Sequence, residues 1–244
     1  MRASPCCLLP LEGEIVIGEG PDWLSLLPIH TEAFSDVVRH ADLDAPVPFC
    51  PGWTVRDLAA HLGGVHQWAA HCVNEGHPSF QPEAGPRDRP ALTDWYSRSA
   101  GRLVELLAAT PADAPAWTFD EQNATALFWR RRQVHETVMH LVDADAALGQ
   151  RRPIDPWLAW DGILEVRDVL YPRQVRLGRV EPLPCALRLT ATDLSGHATI
   201  GDGMPVPVRA PAEVLLRLLW HRADPDAEDV DPRAAALLSA ALTP

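Results

Sequence analysis

Residues 52–73, GWTVRDLAAHLGGVHQWAAHCV, read as one amphipathic helix that carries its own start signal. Thr54 is a natural N-cap, and Asp57 stands three residues on, the capping-box arrangement with Asp in place of Glu. Val55, Leu58, Ala59, Leu62, Val65 and Ala69 recur at helical spacing and form the apolar stripe. His61 sits mid-helix among apolar neighbours, four residues after Asp57, where that carboxylate is placed to orient the imidazole. A histidine so placed either hydrogen-bonds within the core or serves as a ligand. Gly63 and Gly64 each weaken a helix by about 1 kcal/mol relative to alanine. They point to close helix packing or to a ligand beside the backbone.

Three more helices surround this one. Apolar positions from Trp23 to about His40 approximate a helical face, and DLDAPVPFCPG then breaks the pattern with three prolines and a glycine. A long polar loop spans 74–90, a third helix runs from about Thr93 to Ala109, and 110–123 is a connector. The fourth helix runs from about Thr125 to Leu148 and closes on Gly149 as its C-cap residue. Four helices with long connections predict a four-helix bundle. After Pro153 the pattern changes. A helix is expected over about 156–169, short β-rich runs with turn signals over 186–210, an amphipathic helix over 211–222 and a short helix over 231–242. The expected fold is therefore α+β, with a tail or short strand over 1–20, the bundle over 21–152 and a small α+β domain over 153–244.

The net charge of −12 argues against nucleic acid or an anionic membrane as partner, since both need a basic patch. No run of about 18 apolar residues suggests a transmembrane helix. The N-terminus is a poor signal peptide, so a cytoplasmic location and a monomer are expected. The cysteines, Cys6, Cys7, Cys50, Cys72 and Cys185, are odd in number and irregular in spacing, with no CxxC pair. They read as free or buried thiols, not a disulfide framework.

Residues 131–149, RRQVHETVMHLVDADAALG, hold the chemistry. Glu136 and His140 stand at i,i+4 on one helical face, the spacing at which a helix offers two ligands to one metal ion. A catalytic zinc takes three protein ligands and keeps one position open. His61 is the best third candidate, because bundle cores build sites from facing helices. His135 reads as packing or as a residue behind the ligands. Asp143 shares the face of His140 and either supports it or belongs to a solvated surface. His30, His40, His66, His71 and His77 read as surface or loop residues, and His197 and His221 have no ligand partner at helical spacing. Arg130, Arg131 and Arg132 form a basic rim, or supply one side chain that holds a carboxylate. Trp53, Trp68, Trp129 and Trp160 pack the core or line a pocket.

CPGWTVRDLAAHLGGVHQWA and WRRRQVHETVMHLVDADAALG together resemble the mycothiol-dependent maleylpyruvate isomerase family, in order and about 75 residues apart. ALRLTATDLSGHATIGDG and the later VRAPAEVLLRLLWHR resemble the family's C-terminal domain. The resemblance implies a DinB-like four-helix bundle and a divalent metal, usually zinc, on His61, Glu136 and His140. It maps a functional arginine onto Arg222, beside His221 where the family carries glycine. It implies mycothiol as a thiol cosubstrate whose thiolate either adds to a conjugated double bond and leaves after rotation, or stays attached to an electrophile. An isomerase and an S-transferase acting on a small electrophile thus share these ligands. The alternative is a repurposed member: a thiol-independent metal enzyme, or a small-molecule-binding accessory protein in a biosynthetic pathway. Substrate pockets are expected from loop 74–90 and the C-terminal domain.

Overall fold

The computed structural model describes residues 21–120, 122–228 and 230–244. The tail or strand expected over 1–20, with Cys6 and Cys7, lies outside them. The elements are helices α1 (Trp23–His40), α2 (Val55–Glu75), α3 (Arg89–Ala109), α4 (Ala126–Ala147) and α5 (Pro156–Glu165), a π-helical turn (Val166–Leu170), and α6 (Tyr171–Arg176). Strands β1 (Ala186–Ala191), β2 (His197–Ile200) and β3 (Pro205–Ala210) follow, then α7 (Ala212–Leu219) and α8 (Pro232–Leu238). The fold is the α+β arrangement read from the sequence.

The bundle is not arranged in chain order. α3 packs between α1 and α2, and α4 packs between the same two helices on the other side, so the ring runs α1–α3–α2–α4. α2 and α4, with 50 residues of chain between them, thereby become neighbours. Matching devices fix where these two helices begin. A β-bridge joins Pro46 to Thr54 before α2, and another joins Pro115 to Thr125 before α4. The capping box at α2 is complete: the Thr54 N–H donates to Asp57 Oδ2 at 2.9 Å and the Asp57 N–H to Thr54 Oγ1 at 3.3 Å. Asp57 is therefore used at the helix end and does not orient His61, contrary to the expectation from their spacing.

Three further details differ from the sequence reading, each for a local reason. α3 starts at Arg89, about a turn early, because Asp88 accepts the Ala91 N–H at 3.2 Å and Pro90 fits the first turn. The helix begun at Pro156 runs on to Arg176, because the π-turn lets the chain pass Pro172, which has no N–H to give. In α2 the inward place belongs to His66, fully buried, while Val65 is half-buried.

Gly63 is a packing residue. A Cβ there would lie 2.2 Å from the Trp95 ring, so α2 and α3 close up only over a glycine. In the second half β1 lies between β2, antiparallel, and β3, parallel. One hydrophobic cluster takes in Trp129 and Val134 of α4, Ile163 of α5, Leu187 of β1 and Leu216 of α7. The small sheet and α7 thus share buried surface with the bundle, and the end of α7 reaches α4.

Candidate metal centre

α2 and α4 bring His61, Glu136 and His140 together. One ligand atom from each lies within 4.8 Å of the others. Glu136 Oε1 is 3.2 Å from His140 Nε2 and 3.8 Å from His61 Nε2. Ligands at 2.0–2.1 Å in a tetrahedral shell stand about 3.3 Å apart, so a small inward adjustment fits zinc. The donor set, two imidazoles and one carboxylate, suits it and leaves a fourth position open. The His61 side chain is 38% exposed, against 16% for Glu136 and 12% for His140, so the site opens on the α2 side. The Trp53 ring, 5.0 Å from the His61 ring, forms its near wall.

The groups behind these three residues are buried and paired. Oε1 of Glu136 faces the histidines, while Oε2 accepts from Arg132, one turn earlier on α4. Arg132 is buried, donates as well to Glu165 of α5, and lies 5.9 Å from the Trp220 ring. Burial alone would raise the Glu136 carboxyl, but Arg132 and the two histidines hold it well below the ordinary carboxylate range. On the other side, His140 Nδ1 donates to Asp143 Oδ2 at 3.2 Å. Burial disfavours the imidazolium, yet Asp143 and Glu136 on its two nitrogens outweigh it and raise His140 to about 9.

Asp143 is in turn clamped by Arg222, which donates from Nε to Oδ1 at 2.8 Å and from Nη2 to Oδ2 at 3.1 Å. Cys50 completes this corner, its Sγ 3.7 Å from Asp143 and 3.9 Å from Arg222. Burial and the neighbouring carboxylate push its thiol up to about 11, so it is protonated at neutral pH.

The remaining sequence candidates go elsewhere. His135 is buried and pairs with Asp161 at 2.7 Å, and Arg131 bonds the same carboxylate at 2.6 Å. Arg131 and Arg132 are therefore partnered inside the fold, and neither belongs to a solvated rim. His66, read as a surface residue, is fully buried; its Nε2 lies 3.3 Å from Thr137, and burial drives its pKa down to about 3. Trp129 and Trp160 are core residues. Loop 76–88 helps line a cleft of about 600 Å³ with α2 and α3, and an apolar cavity of about 460 Å³ lies between α1, α4 and α5. Neither touches the three candidate ligands.

Sequence reading missed Arg132 as a partner of Glu136, although the i,i+4 spacing marks it. It also missed Glu165 and Cys50, which carry no such signal.

Residues 30–145 match the family model described as the mycothiol maleylpyruvate isomerase N-terminal domain. The match spans most of the four-helix bundle, just under half of the chain. The fold also matches a crystal structure of the mycothiol-dependent maleylpyruvate isomerase, with a TM-score of 0.60 and 18% identity over 82% of this chain and 88% of the other. A histidine-to-alanine variant of that enzyme matches with a TM-score of 0.58 and 18% identity, over 80% and 86%. At that identity the likeness is one of fold. A comparison with curated proteins found no match. Among the described residues no helix is long and apolar enough to cross a membrane.

The backbone accounts for one departure from the resemblance. His221 stands where the resemblance places glycine, and its φ is +57°. The position requires the left-handed conformation that glycine adopts most readily.

Proposed function

We propose that this chain is a metal-dependent enzyme that activates mycothiol for isomerisation of, or S-transfer to, a small electrophilic substrate. The convergence of His61, Glu136 and His140 from two different helices, with Asp143 behind His140, carries the reading. The match of residues 30–145 to the mycothiol maleylpyruvate isomerase N-terminal domain model supports the choice of thiol.

In this reading His61, Glu136 and His140 hold zinc. Bound zinc lowers the pKa of a thiol and keeps it ionised near neutral pH. The protein's own residues prepare that site. Arg132 keeps Glu136 ionised and turns Oε1 toward the histidines. Asp143 accepts a hydrogen bond from the Nδ1–H of His140 and so directs Nε2 at the site, the carboxylate–histidine arrangement that fixes a ring and raises its basicity. Cys50 stays protonated, so the reacting sulfur comes from the cosubstrate and not from the chain. Arg222, which the resemblance assigns to the active site, lies one carboxylate away from His140 and is the candidate catalytic arginine.

The test is the zinc content of the purified chain beside His61→Ala, Glu136→Ala and His140→Ala, followed by a mycothiol-consumption assay against a panel of small electrophiles. About one zinc per chain, lost in all three variants, with thiol-dependent turnover, is expected. A folded wild type that takes up no zinc would overturn the reading.

A further inference from the structure

We propose that His221 is a positioning residue: its ring locks the turn that carries Arg222, and through Arg222 and Asp143 it fixes His140. The inference rests on reading His140 as a metal ligand.

α7 ends in a Schellman turn. The Arg222 N–H donates to Arg217 O at 2.7 Å and the His221 N–H to Leu218 O at 3.1 Å. This pair of bonds demands a left-handed residue at 221, and His221 is the only non-glycine residue with positive φ among the described residues. Glycine meets that demand with no side-chain clash. The imidazole supplies something glycine lacks. Its Nε2 lies 2.8 Å from Leu238 O and 3.1 Å from Ala240 O. Leu238 is the last residue of α8, whose terminal carbonyls have no partner within the helix. The ring therefore ties the turn to the end of α8.

Arg222 is the next residue and is bound to the same turn. Its Nη1 donates to Trp220 O at 2.6 Å, and its guanidinium lies 6.0 Å from the Trp220 ring and 5.7 Å from the Phe49 ring. Movement of the turn therefore moves the guanidinium. That guanidinium holds both oxygens of Asp143, which is fully buried, and Asp143 holds Nδ1 of His140. The chain of contacts runs from Leu238 through His221, Arg222 and Asp143 to His140 with direct hydrogen bonds at the His221, Asp143 and His140 ends.

Two readouts on the full-length protein test this: zinc affinity, by competition with a chromophoric chelator, and hydrogen exchange of the Arg222 Nε–H, by NMR. His221→Gly keeps the left-handed turn and removes the ring, so it folds without strain. It is expected to weaken zinc binding about three- to tenfold, below the 10–100-fold loss seen when a direct outer partner is removed, and to speed the Arg222 exchange. His221→Asn, which tolerates positive φ and offers an N–H, is expected to restore part of both. In an Arg222→Gln background His221→Gly should change zinc affinity no further. Unchanged affinity and exchange in His221→Gly, with only the melting temperature lowered, would overturn the proposal and leave His221 a structural residue. If the wild type binds no zinc, the metal reading fails by itself, and the exchange readout still decides whether His221 holds Arg222.

Discussion

The two oxygens of Glu136 face different partners: Oε2 meets Arg132 one helical turn back, and Oε1 meets His140 one turn on. One carboxylate thus joins a buried ion pair to a candidate metal centre. Arg132 also holds Glu165, whose side chain is 2% exposed. Arg132→Met should leave the buried Glu165 carboxylate without a counter-charge, take one of two partners from Glu136, and destabilise the fold by about 3–5 kcal/mol. Urea denaturation measures this, and a loss below about 1 kcal/mol would mean that the triad contributes little.

His140 should make the proposed zinc binding pH-dependent. Its folded-state pKa of about 9 lies above the ordinary 6.5. In the metal-free chain it therefore stabilises the fold in full below about pH 6.5, and this contribution is lost as pH rises through about 9. Zinc at Nε2 has to displace a proton. Affinity should rise up to about tenfold per pH unit between roughly pH 7 and 9 from this group alone. Calorimetry in two buffers of different ionisation enthalpy should find about one proton released near pH 7.5; no release would contradict the assignment of His140.

The neighbouring glycines of α2 should behave oppositely. At Gly64 an added Cβ meets only Pro82, at 3.5 Å, so Gly64→Ala should stabilise the protein by about 0.5–1 kcal/mol. At Gly63 it meets the Trp95 ring at 2.2 Å, and Gly63→Ala should destabilise by about 1–3 kcal/mol. Thermal denaturation of the two variants side by side checks both signs.

Cys50 should be an unreactive thiol. A pKa of about 11 leaves it roughly a hundredfold less thiolate at pH 7.5 than an ordinary cysteine. Mass spectrometry of iodoacetamide-treated protein should find Cys50 alkylated far more slowly than a free cysteine-containing peptide. If the proposed site binds zinc, Cys50→Ser should keep the zinc content of the wild type, because Sγ is outside the candidate ligand set.

The sequence by itself determined the helices of the bundle, the capping box at Thr54 and Asp57, and the closure of α4 at Gly149, where φ is +64°. These follow from local rules of spacing and backbone conformation. It also placed Glu136 and His140 on one face, since i and i+4 lie together on any α-helix. Tertiary structure alone decided the rest. Helix spacing does not say which helices are neighbours, and the ring order α1–α3–α2–α4 is what sets His61 against α4. Burial follows packing, so His66 points inward although its surroundings in the sequence match those of exposed histidines. Arg132 faces Glu165, and Asp143 faces Arg222, across 33 and 79 residues of chain. Such pairs have no sequence period. They form because a charge taken out of water must find its opposite, and only the folded chain decides which one is within reach.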